Sequence, residues 1–95
     1  MKLVIAIYDS GIQPDMMGLL ERHGIGHHTL LQNVHGAGET GIRAGDPIWP
    51  GVNNILMLVL EDDQVQPLIA DAHAMRDAFP LTPGLKFIVT DAELH

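Results

Sequence analysis

Two short runs of this sequence are apolar at every position: Leu3–Tyr8 and Ile55–Leu60. Side chains alternate across a strand. Leu3, Ile5 and Ile7 therefore share one face, with Val4, Ala6 and Tyr8 on the other. Ile55, Met57 and Val59 oppose Leu56, Leu58 and Leu60 in the same way. A sheet built on these strands needs cover on both sides. With 95 residues the chain is one domain, residues 1–95. It has room for two helices, which can cover one face of a four-stranded sheet. The other face exposes an apolar patch larger than a soluble monomer normally shows, and burying each exposed Leu or Val recovers roughly 1.5–3 kcal/mol. The expectation is that the open face packs on other copies of the chain, in closed rotational symmetry.

The flanking pattern supplies the helices. Lys2 to Tyr8 reads as a strand ending in the turn residues Asp9-Ser10-Gly11. Pro14 and Asp15 suit a first helical turn. Met16, Met17, Leu19 and Leu20 form an apolar face, and Gly24 reads as the stop. Thr29 to His35 is a second strand and Asn54 to Leu60 a third. Asp62 and Asp63 read as the N-cap of a second helix, with Pro67 near its first turn. Its apolar face is Val65, Leu68, Ile69, Ala72, Met75 and Phe79. Pro80 and Pro83 end it, and Leu85 to Thr90 alternates as a fourth strand. The order is βαββαβ, an α+β, ferredoxin-like pattern with a four-stranded antiparallel sheet.

Composition narrows the function. A formal charge of −7 and five scattered basic residues argue against a nucleic-acid surface. The absence of cysteine removes disulfides, thiol nucleophiles and cysteine-ligated zinc. The apolar run Leu3–Tyr8 is too short for a signal-peptide core with its cleavage site or for a bilayer span. The reading is a cytoplasmic protein without membrane insertion.

The segment His35–Gly51 holds five of the ten glycines, two prolines and the sole tryptophan. Gly36-Ala37-Gly38-Glu39-Thr40-Gly41 matches G-x-G-x-x-G literally. It does not open a helix, so dinucleotide binding fails. Two readings are open: backbone N–H groups that receive an anion, or a hairpin tip without a ligand. Arg43 either holds a phosphate or carboxylate or is solvated. Trp49 pins the segment to its own sheet or to a neighbouring copy, or stacks on an adenine. His27, His28 and His35 are the candidates for Cu, Zn or Ni, set against surface histidines with no role. Ser10 has no His and Asp pattern around it, and Glu39 and Asp46 are loop carboxylates. Nothing requires an enzyme.

Val34-His35-Gly36-Ala37-Gly38 resembles the end of the second strand in PII signalling proteins, where a Val-Lys-Gly-x-Gly run enters the long T-loop. Gly84-Leu85-Lys86-Phe87-Ile88-Val89 resembles the approach to their last core strand. Trp49-Pro50-Gly51, followed by Asn54, is similar to short-loop PII-like proteins. The resemblance implies a homotrimer with sheets facing inward, binding an effector, often an adenine nucleotide, in clefts between subunits. Binding reshapes the loop and controls a partner, often a membrane transporter. By position, Gly36, Ala37 and Gly38 would lie at the loop base beside phosphates, and Lys86 would match the family's phosphate-facing lysine. Residues 79–84 are proline-rich where the family has glycines and basic residues. The family's basic C-terminal segment is absent from the sequence, and Glu39–Pro50 holds no tyrosine for uridylylation. These departures, with the histidines, resemble the branch associated with metal efflux or bicarbonate transport. The alternative is the CutA family, trimeric divalent-metal binders of the same fold, whose aromatic-rich character this chain lacks.

Overall fold

The computed structural model describes residues 1–35 and 52–95. Its elements are β1 (Lys2–Asp9), a short 3-10 turn (Ser10–Ile12), α1 (Gln13–Arg22), β2 (Thr29–His35), β3 (Val52–Leu60), α2 (Asp62–Asp77) and β4 (Leu85–Asp91). Among the described residues the strands form one four-stranded sheet, ordered β2-β3-β1-β4. Every neighbouring pair is antiparallel. The βαββαβ expectation holds, with strand ends displaced by one or two residues.

The two apolar runs occupy the two central strands, as sequences greasy on both sides should. Val4, Ala6, Tyr8, Leu56, Leu58 and Leu60 are buried beneath the helices. Met16, Leu19 and Leu20 of α1 and Val65, Leu68 and Ala72 of α2 close over them in one core cluster. Leu85 and Phe87 of β4 pack against its border.

The first turn forms because the Asp9 carboxylate accepts the Gly11 N–H at 2.9 Å. At the other end of α1, Gly24 takes φ 67°, and the Gly24 and Ile25 N–H groups donate to Glu21 and Leu20 carbonyls at 3.1 and 2.9 Å. This is a Schellman closure, and Ile25 packs on the core behind it.

Two details of α2 differ from expectation. Its N-cap is Glu61, which forms a reciprocal capping box with Gln64. Asp62 instead meets the N-terminal ammonium at 2.9 Å. Pro67 is not in the first turn but inside the helix. There it deprives the Asp63 carbonyl of its i→i−4 donor at an exposed position.

Candidate functional site

The open face of the sheet carries the candidate site. Pairing sets its rows: Lys86 beside Ile7 and Ile88 beside Ile5, with Ile7 also beside Ile55 and Ile5 beside Met57. Leu31 continues the Ile55 row on β2. Leu31, Val59 and Ile88 are 46%, 40% and 47% exposed in the single chain. One face is therefore sealed by helices and the other is apolar and bare, as the alternation in β1 and β3 predicts.

Lys86 brings a positive charge to this face. Among the described residues every other basic group meets a carboxylate. Lys2 pairs with Asp91, Arg22 with Asp71, Arg76 with Asp77, and the N-terminal ammonium with Asp62. The Lys86 ammonium has no such partner. It stands near the start of edge strand β4, at the end of the sheet where β2 finishes at His35 and β3 begins at Val52. Antiparallel order brings these ends together. An exposed cation set among Ile7 and Ile88 can receive an anionic group, and the apolar surround offers surface for a planar ring.

His35 lies at that same end, on the opposite edge strand. With β3 and β1 between them, β2 and β4 stand roughly 14 Å apart at strand spacing. His27 and His28 precede β2 at its other end, roughly 20 Å from His35 at the rise of a strand. They line an open depression of about 470 Å³ with Gly26, Thr29, Met57, Val59 and Leu94. One chain does not bring the three histidines around a single ion. Among the described residues no group of three or more His, Cys, Asp or Glu can hold a metal. Gly36, Ala37, Gly38 and Arg43 lie outside the described residues, as do Trp49 and the rest of the glycine-rich segment.

A buried polar cluster beside this end escaped the sequence reading. Tyr8 and Asn54 are 0% and 2% exposed. The Tyr8 hydroxyl donates to Gln13 Oε1, and burial pushes the pKa of that hydroxyl up to about 12. Asn54 Nδ2 donates to the same oxygen at 2.7 Å, and Asn54 Oδ1 accepts the Asn33 N–H at 3.1 Å. Asparagine opening an otherwise apolar strand was the available signal.

No family model matches this sequence, and no curated protein does. Solved structures do. The apo form of CPII, a nitrogen regulatory PII-like protein from Thiomonas intermedia K12, superposes with a TM-score of 0.67 at 15% identity, covering 94% of this chain and 87% of that one. CPII bound to ADP, AMP and bicarbonate gives 0.65 at 17%, covering 98% and 94%. A PII-like signalling protein of Thermus thermophilus gives 0.64 at 22%, covering 94% and 83%. The similarity runs through nearly the whole of each chain, in element order as in sheet topology, and this protein has the fold of the PII-like regulatory proteins.

Proposed function

We propose that this chain is a trimeric, cytoplasmic PII-like regulator that binds an adenine nucleotide together with a small anion in clefts between copies. Occupancy of the clefts would control a partner, for which a membrane transporter is the expected class. The observation that carries the reading is the Lys86 ammonium on the bare sheet face, without a carboxylate partner among the described residues, at the end of the sheet where β2 finishes. Lys86 and the end of β2 sit on opposite edges of one sheet, so a ligand gripped by both strand ends belongs between two copies. The anion-receiving backbone of Gly36, Ala37 and Gly38, with Arg43, would complete the grip on the phosphates. The neighbour bound to ADP, AMP and bicarbonate names the ligands to try first. The reading assigns no reaction to the site. No helix among the described residues is long and apolar enough to cross a membrane.

Titration calorimetry with ADP, AMP and bicarbonate tests this. Lys86→Ala should weaken ADP binding about tenfold or more, the scale of a charge-assisted hydrogen bond of roughly 1.5–3 kcal/mol. Equal ADP affinity in wild type and Lys86→Ala would remove Lys86 from the site. Zinc and copper belong in the same series. Metal binding without nucleotide binding, lost in a His27→Ala/His28→Ala variant, would favour the metal-binding alternative.

A further inference from the structure

We propose that Asn54 is a positioning residue for the effector site: its side chain holds a two-residue bulge in β2 that puts Val34, not His35, on the open face of the sheet. The link to the effector rests on the nucleotide reading above, whereas the strand register does not.

The bulge is explicit in the pairing. Leu31 stands beside Ile55 and Val34 beside Asn53, so Gln32 and Asn33 together oppose the single residue Asn54. Asn33 takes φ 57°, the one positive value at a non-glycine among the described residues. Asparagine tolerates that conformation better than most residues, but something must still hold it. The Asn33 N–H has turned away from the ladder and donates to Asn54 Oδ1.

The orientation of the Asn54 amide follows from its partners. A backbone N–H only donates, so the oxygen faces Asn33. The nitrogen then faces Gln13 Oε1, which also takes the Tyr8 hydroxyl proton. An amide oxygen has two lone pairs, and both are used. The cluster joins β1, the first turn of α1, β3 and β2. A buried polar network of this kind specifies one arrangement because a half-satisfied alternative is costly.

The consequence is a change of face. If the Leu31–Ile55 pairing ran on without interruption, Val34 would stand against Val52. Val52 shares its side of β3 with Asn54 and Leu56, beneath the helices. Val34 would then point to the helix side and His35 to the open side. A one-residue slip reverses every side chain beyond it. With the bulge, Val34 extends the apolar row of the open face and His35 pairs with Val52 on the helix side. Asn54 thus decides what the end of β2 presents to a ligand or to a second copy.

Amide exchange and cross-strand contacts by NMR, with ADP titration, test the proposal. In the wild type the Asn33 amide should exchange at least tenfold more slowly than an unstructured amide. Unprotected exchange overturns the proposal without any variant. Asn54→Leu should lose that protection and move Val34 from Asn53 toward Val52, while β1 and β4 amides stay protected. Asn54→Asp, which keeps an oxygen toward Asn33 and meets the Gln13 Nε2 with its second oxygen once that amide turns over, should retain the wild-type pairing. Unchanged pairing in Asn54→Leu overturns the proposal. Should Asn54→Leu fail to fold, the wild-type exchange and the Asn54→Asp pairing decide. If the wild type binds ADP, Asn54→Leu should weaken it at least fivefold, and an unchanged ADP affinity despite an altered register removes the link to the site. A wild type that binds no ADP refutes the nucleotide reading and leaves the register result standing.

Discussion

Gly24 and Asn33 are both in the left-handed region, at φ 67° and 57°, yet they answer to different constraints. At Gly24 an added Cβ would meet nothing within 4 Å, so backbone conformation alone selects glycine. Gly24→Ala should therefore destabilise the fold by about 1 kcal/mol, through strain and not through a clash. Urea denaturation checks this, and an unchanged midpoint would mean that the chain leaves α1 by another route. Glycine after Arg22-His23 is legible as a helix stop from its own neighbours in the chain. Asn33 is not legible in that way, because its conformation exists only opposite Asn54, 21 residues away in the chain.

At the scale of elements, the helices are joined by a cluster that neither helix announces. Asp71 of α2 accepts from His23 Nε2 at 2.8 Å and from the Arg22 guanidinium at 3.3 Å, across the end of α1. The His23 hydrogen bond, with Arg22 beside it, holds the Asp71 carboxyl below its ordinary value of 3.8. A carboxyl with a depressed native pKa contributes stability that is fully present above 3.8 and is lost as pH falls through the lower native value. Asp71→Asn should thus lower stability at neutral pH, with the gap to wild type closing as pH drops below about 4. Denaturation midpoints across this range decide it, and a gap independent of pH would assign the loss to packing. The helical periodicity that revealed the apolar faces says nothing about this pair, since 48 residues separate Asp71 from His23. The α2 start shows a related gap: Asp62 and Asp63 are the residue type that local pattern favours for an N-cap, yet the reciprocal bond to Gln64 selects Glu61.

For the whole molecule, the sheet sets the constraint. Two helices seal one side, and the other retains Leu31, Val59 and Ile88 in contact with water. Assembly through this face is part of the proposed function and has its own test. Val59→Asp changes a side chain that is 40% exposed in the single chain, so the fold should survive by circular dichroism. In a trimer the same change would bury one unpaired carboxylate per copy, a cost that assembly does not tolerate. Sedimentation should show the wild type at three chains and Val59→Asp at one. A wild type that sediments as one folded chain would remove the clefts and the site between them.

The order of the elements, the two strands apolar on both sides and the existence of a bare apolar face were set by the sequence alone. Those properties follow from alternation and helical spacing within single segments. Even Lys86 was placed by a short local match, Gly84 to Val89. What the tertiary structure decided are the relations between distant segments: the lack of a carboxylate partner for the Lys86 ammonium among the described residues, the placing of Lys86 at the sheet end where β2 finishes, and the bulge held by Asn54. Each depends on which strand lies beside which and in what register, and a local pattern of residues carries no information about its partner across the sheet.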